Sequence, residues 1–326
     1  MRLSLSNLSV GYKRCAVISN LNMLADEHEL IALIGRNGEG KSTLLRTIAR
    51  LQPAISGNIT VADKPLEQYS RSELAGVLSI VSTESVVTSY LTVRQLVAFG
   101  RFPHTNWLGR LSADDVATVE EAMRLTNVAP LADKNMYEIS DGERQRAMIA
   151  RTLAQDTALI LLDEPTAFLD MPNKYEIVNL LHCLTRTKGK TILFSTHDLN
   201  IAMQYADKIL MLIDGVLYED SPEDMALNSR FARMFEGTNL HFDNNNGQFN
   251  IKRNDMKLIT VAGEGKIFFW TKKAMERLGY DVRKAENDED ADIVICEDKS
   301  ASVFWTVNQN GKQLQFNSIY ELSKYL

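Results

Sequence analysis

The sequence predicts an α/β fold, with a second, smaller α/β unit at its C-terminal end. Three observations carry this prediction. A glycine-rich segment, Gly35-Arg36-Asn37-Gly38-Glu39-Gly40-Lys41-Ser42-Thr43, lies between the apolar run 30–34 and leucines and isoleucine at helical spacing over 44–51. That is a strand, a loop and a helix. Two further apolar runs, 158–162 and 191–196, lead straight into Asp163-Glu164 and His197-Asp198. Residues 1–34 alternate apolar and polar positions, as antiparallel strands do.

Composition sets the outer limits. At about 100–200 residues per domain, a chain of 326 residues holds two domains, or three. Hydrophobic content of 45% and charged content of 24% are those of a globular protein. A net charge of −6 argues against nucleic acid as the main partner. No apolar run approaches the roughly 18 residues that span a bilayer, and the first residues lack a signal-peptide pattern. Cys15, Cys183 and Cys296 lie far apart, form no metal-ligand spacing and suit a reducing compartment.

The glycine-rich segment fits G-x-x-x-x-G-K-[ST]. Gly35, Gly38 and Gly40 let the backbone turn and approach an anion, and Asn37 and Thr43 belong to the same cradle. Successive N–H groups and the helix N-terminus then face phosphate. Lys41 reaches the β- and γ-phosphates, and the Ser42 hydroxyl takes a Mg²⁺ position. Glu39 is an unusual acid in such a loop, and its side chain is expected to point away. Tyr12, read in a turn after Gly11, offers an aromatic face to an adenine ring.

Further along, residues 54–61 read as a turn and strand, and 76–81 as a second buried strand. Thr92 caps one helix and Ser112 another, so residues of about 85–138 form a helical insertion. Gly100-Arg101-Phe102-Pro103-His104-Thr105-Asn106-Trp107 is an aromatic, basic loop between them. Ser140 with Glu143 makes a capping box before a helix running through Leu153. The acids at the end of run 158–162 stand at the strand edge where open α/β sheets bind ligands. Asp163 would hold Mg²⁺ and Glu164 would orient or deprotonate the attacking water. His197 is delivered to the same edge, where a γ-phosphate contact is useful.

Together, these residues resemble the ATP-binding subunit of ABC transporters over residues 1 to about 237, in the family's order and spacing. The resemblance implies a P-loop nucleotide-binding domain with antiparallel β and α-helical subdomains, ATP and Mg²⁺ as ligands, and ATPase activity. It implies that Glu164, His197 and Lys41 are catalytic, and that Tyr12 stacks on adenine. It implies a head-to-tail dimer of two copies, with residues 140–143 as the signature motif facing the other copy's γ-phosphate. Ser140 and Gly142 retain that motif, whereas Asp141 and Glu143 depart from its usual glycine and glutamine. Ala167-Phe168-Leu169-Asp170 matches the loop that crosses between the two sites. A further departure is the missing glutamine after the strand at 77–81, where Thr83 or Glu84 is expected to supply the metal-ligand oxygen. The helical insertion would dock on membrane permease subunits at the cytoplasmic face of the cell membrane. Its loop at 100–104 looks most like importers for iron-siderophore complexes, haem and vitamin B12, served indirectly by an external substrate-binding protein. Two other readings stay open: a non-transport ATPase of this family acting on a soluble partner, and a nucleotide-binding regulator with low turnover.

Residues 238–256 read as a linker or irregular hairpin, rich in asparagine at 244–246. Residues 257–326 form the small α/β unit: strands at 257–261, 292–296 and 302–307, a helix at 267–278 ended by Gly279, and a closing helix at 318–326. Its lone G-x-G turn at 263–265 is a weak ligand signal, so the unit reads as accessory, with a structural or oligomer-contact role.

Overall fold

The computed structural model describes residues 2–12, 15–82, 90–105, 109–244, 247–251, 256–297, 302–309 and 312–326. They belong to two compact units, Met1–Glu236 with Asn244–Gly247, and Gly237–Asp243 with Gln248–Leu326.

The first unit begins with β1 (Leu3–Tyr12), β2 (Cys15–Ala25), β3 (Leu30–Gly35), α1 (Lys41–Ile48), β4 (Ser56–Val61) and β5 (Lys64–Pro65). It continues through α2 (Arg71–Ala75), β6 (Leu78–Val81), α3 (Val93–Ala98), α4 (Ala113–Leu125), α5 (Asp141–Ala154), β7 (Leu159–Leu162) and α6 (Met171–Lys188). It closes with β8 (Thr191–Ser195), α7 (Leu199–Tyr205), β9 (Lys208–Ile213), β10 (Val216–Asp220), α8 (Pro222–Leu227) and α9 (Phe231–Met234).

Two sheets result. One has the order β2-β1-β4-β5 and is antiparallel; the other has the order β10-β9-β3-β8-β7-β6. In the second, β9, β3, β8, β7 and β6 are parallel and β10 is an antiparallel edge. Thus β3, expected as one of the antiparallel N-terminal strands, is a central parallel strand. Every residue of Leu30–Gly35 is buried, as a strand covered on both faces requires. Leu3, Leu5 and Leu21 of the antiparallel sheet share one apolar cluster with Leu33, Leu44, Leu45, Leu161 and Leu193. Leu44, Leu45 and Ile48 of α1 are fully buried. At roughly 1.5–3 kcal/mol per buried side chain, α1 is a firm anchor for the loop before it.

The helical insertion forms as its caps predict. Thr92 and Ser112 each make a capping box, with Gln95 and Asp115. The segment between them is a 3₁₀ turn, Phe99–His104, with Phe99 and Phe102 stacked. Arg101 donates to Asp115 at 2.8 Å and to the Ala154 carbonyl at 2.9 Å, which ties this turn to α4 and the end of α5. Asn106 and Trp107 lie outside the described residues.

The second unit holds a hairpin of β11 (Leu240–Asp243) and β12 (Gln248–Ile251). It then runs through β13 (Lys257–Ala262), α10 (Gly265–Leu278), β14 (Tyr280–Lys284), β15 (Ile293–Glu297), β16 (Val303–Gln309), β17 (Lys312–Phe316) and α11 (Ile319–Tyr325). Its sheet has the order β14-β13-β15-β16-β17. Strands β14 and β17 were not predicted: they are short edge strands, and with only two apolar positions each, Tyr280 and Val282 in one and Leu314 and Phe316 in the other, their alternation is too brief to stand out. Gly279 ends α10 in the left-handed region at φ 95°, where glycine is favoured. The core comprises Ile259, Val261, Met275, Ile293 and Leu322, and Trp305 donates its indole N–H to Thr271 at 2.8 Å.

Candidate nucleotide site

Three neighbouring parallel strands bring the site together. Strand β8 lies between β3 and β7, so their C-terminal ends share one edge. The first carries the glycine-rich loop, β7 runs into Asp163-Glu164, and β8 ends at Ser195 ahead of Thr196-His197.

The loop has the backbone that its glycines predict. Gly40 is the N-cap of α1 at φ 99°, and a Cβ there would stand 2.9 Å from Val17. Glycine is therefore required twice over, by conformation and by space. Lys41 is 6% exposed and its ammonium donates to the carbonyls of Gly35 and Arg36 at 2.9 and 3.1 Å, bridging back across the loop. Burial pushes its pKa down, opposed by the nearby charges of Glu164, Asp163 and Glu39. Glu39, whose side chain was expected to point away, is half-buried in this loop.

Ser42 donates to Asp163 at 3.0 Å, which joins two hard oxygen donors suited to Mg²⁺. Among the described residues no cluster of three or more His, Cys, Asp or Glu could hold a metal alone. A hydroxyl and one carboxylate fit an ion completed by water and phosphate oxygens. Glu164 adopts φ 49°, and His197 stands 3.9 Å from its carboxylate. Such a backbone outlier for a non-glycine residue at a strand end is common in active sites.

Two site residues were missed by sequence reasoning. Ser195, fully buried, donates to Asp163 at 2.8 Å and accepts the Glu164 N–H at 2.8 Å, and so orients both acids. Its signal was a lone hydroxyl ending an apolar strand. Arg36 donates to the Met234 carbonyl at 3.0 and 2.6 Å and to the Glu236 carbonyl at 3.1 Å. It braces the loop against the end of α9, some 200 residues downstream, which no local pattern reveals.

Tyr12 is the last residue of β1, paired with Cys15, and not a turn residue. Its hydroxyl accepts from Thr43 at 3.2 Å and it is 57% exposed, leaving a ring face free at the start of α1. The signature turn is held by its own cap: Ser140 accepts from the Glu143 N–H and donates to the Glu143 carboxylate at 2.9 Å. The backbone N–H of Ser140, then its hydroxyl, hold that carboxyl below the usual range. Asp141, the residue at the usual glycine position, pairs with Arg144 at 2.5 Å. Asp170 caps α6 through Asn173, and Phe168 before it is 96% exposed at φ 62°. Gly38 is in the left-handed region with open space around it, and Gly142 packs on Asn173. Thr83 and Glu84 lie outside the described residues.

Fold and site define a P-loop nucleoside triphosphatase of cassette type, with an antiparallel β-subdomain drawn from both sides of the loop and a helical insertion after it. The chain belongs to the ABC transporter ATP-binding proteins and is an ATPase of that family. The ABC transporter family model matches residues 18–167, and the iron ABC transporter C-terminal domain matches residues 256–326. The petrobactin import ATP-binding protein FpuD of Bacillus anthracis is 37% identical over 71% of this chain and 85% of its own length. The ferric enterobactin transport ATP-binding protein FepC of Escherichia coli is 36% identical over 72% of this chain and 87% of its own. The dimeric structure of a bacterial ABC transporter cassette matches with a TM-score of 0.60 at 25% identity, over 68% of this chain and 98% of that one. The C-terminal match accounts for a unit that the sequence alone left without a family.

Proposed function

We propose that this chain is the ATP-hydrolysing subunit of an importer for iron chelates, working at the cytoplasmic face of the membrane against permease subunits. The observation that carries the hydrolytic part is the convergence of Lys41, the Ser42–Asp163 pair and Glu164 on the edge shared by β3, β8 and β7. The cargo class rests on relatives whose names specify petrobactin and ferric enterobactin, and on the iron-transporter match at 256–326. These favour an iron chelate over the haem and cobalamin that the loop at 100–104 also suggested. No helix among the described residues is long and apolar enough to cross a membrane.

In this reading the loop amides and Lys41 bind the phosphates, with Gly35, Asn37, Gly38, Gly40 and Thr43 shaping the cradle and Tyr12 stacking on adenine. Ser42 and Asp163 would hold Mg²⁺, which would supply charge neutralisation to the bound phosphates. Glu164 orients the attacking water and accepts its proton, and His197 contacts the γ-phosphate. The site is completed by a second copy. Its Ser140, Gly142 and Glu143 turn would meet the terminal phosphate, and its Asp170 loop would cross between sites. Exposed Phe168, in a strained backbone conformation beside that loop, favours a partner at this face. The helical insertion passes the motion to the permease.

Glu164→Gln tests the assignment. It keeps the shape but removes the base, so hydrolysis should fall by about 10²-fold or more while ATP still binds and traps the dimer. Turnover at the wild-type rate would refute the role of Glu164.

A further inference from the structure

We propose that Asn173 is a positioning residue that joins the turn at 140–143 to the turn at Asp170, so that one copy presents both to its partner's nucleotide as a single body. The inference rests on the two-copy reading above. Asn173 lies in the first turn of α6, and its backbone N–H and amide Nδ2 both donate to Asp170 Oδ1, at 3.2 and 2.6 Å. Its Oδ1 accepts from Arg146 of α5 at 3.3 Å. Arg146, only 15% exposed, also pairs with Glu176 one turn further along α6. The same amide fills the space beside Gly142: a Cβ on that glycine would stand 2.9 Å from Asn173 Cγ and Oδ1. One small side chain therefore uses its donor on the Asp170 turn and its acceptor on α5, and lies against the glycine of the signature turn.

Only an amide of this length meets these demands. Aspartate has the same shape but no donor, and would set a carboxylate oxygen against Asp170 at hydrogen-bond distance. Alanine keeps the helix yet leaves Arg146 and Asp170 without the bridge. The hydrogen bonds of Asn173 go to Asp170 and Arg146 and to none of Lys41, Ser42 and Asp163, so a change at Asn173 should leave ATP binding by the separate chain intact. It should instead weaken closure of two copies, where both turns must arrive together.

The test is made in the full-length chain carrying Glu164→Gln, with ATP and Mg²⁺. Asn173→Ala and Asn173→Asp are each added, and the monomer–dimer dissociation constant is measured by sedimentation. ATP affinity and melting temperature are measured alongside. The expected result is a dimer weakened about tenfold or more, the scale of one hydrogen bond to a charged group. ATP affinity of the separate chain should stay within about twofold. Asn173→Asp preserves side-chain volume and the backbone bond to Asp170, so it carries the test should Asn173→Ala fail to fold. A dimer of unchanged affinity in Asn173→Asp would overturn the proposal. Absence of any ATP-dependent dimer in Glu164→Gln alone would instead overturn the two-copy reading beneath it.

Discussion

Ser195→Ala removes one oxygen and disturbs both acids of the site. In the native chain that hydroxyl is fully buried, donates to Asp163 and accepts the N–H of Glu164, each at 2.8 Å. Losing the first bond takes a donor from an ionised carboxylate, worth about 1.5–3 kcal/mol. Losing the second leaves a half-buried N–H without its acceptor, costing about 1 kcal/mol. The two are neighbours and do not add fully, and the Ser42 bond to Asp163 remains, so a net loss of about 2–3 kcal/mol is expected. For a folded unit of this size that lowers the melting temperature by about 4–12 °C. The acids would also lose their alignment, and small displacements of reacting groups cost rate steeply, so kcat should fall at least about tenfold. The Mg²⁺ concentration giving half-maximal activity should rise, because Asp163 is less firmly aimed. Thermal melts and ATPase rates over a Mg²⁺ titration measure all three effects. Ser195→Cys, nearly isosteric with a weak donor, should fall between the alanine variant and the native chain. An alanine variant that melts with the native protein and keeps its Mg²⁺ dependence would show that the hydroxyl orients nothing.

Two further outcomes follow from the same geometry. Arg36→Ala should cost about 1–2 kcal/mol and weaken nucleotide binding, because the carbonyls of Met234, at the end of α9, and of Glu236 just beyond it lose their donor and the loop loses its brace. Arg36→Lys should recover only part, since an ammonium lacks the rigid planar fork whose Nε and Nη2 both meet the Met234 carbonyl while Nη2 also reaches that of Glu236; nucleotide titrations and melts decide. Asp115 has its pKa lowered to about 2, first by the Ser112 backbone N–H, then by the Ser112 hydroxyl and Arg101. Its folded value lies below the unfolded one of about 3.9, so its contribution is present above about pH 4 and fades as pH falls toward 2. Asp115→Asn should flatten acid unfolding monitored by circular dichroism through that window; an unchanged acid limb would exclude the coupling.

Much of the site was legible because its signals are local. The phosphate loop is defined by glycine and lysine spacing within nine residues, between a run that must be buried and a helix that must follow. The caps at Thr92, Ser112 and Ser140 are equally local: a hydroxyl satisfies an N–H three residues on, whatever surrounds it. Strand ends placed Asp163, Glu164 and His197 on one edge because parallel strands all point the same way. These residues determined the class of fold and chemistry without any contact being known.

What the tertiary structure decided depends on sheet order and on long-range contacts. Only the placement of β8 between β3 and β7 puts Ser195 against acids 32 and 31 residues before it. Only the approach of Gly142 and Arg146 to the first turn of α6 makes Asn173, otherwise a helix-start residue, a bridge between them. Arg36 reads as a loop filler until α9 supplies its acceptors. In the second unit, β14 and β17 take their strand character from the neighbours that pair with them. Backbone conformation and capping are settled by a few adjacent residues, so they are written in the chain. Hydrogen bonds between distant segments exist only once the apolar cores have closed, so they belong to the fold.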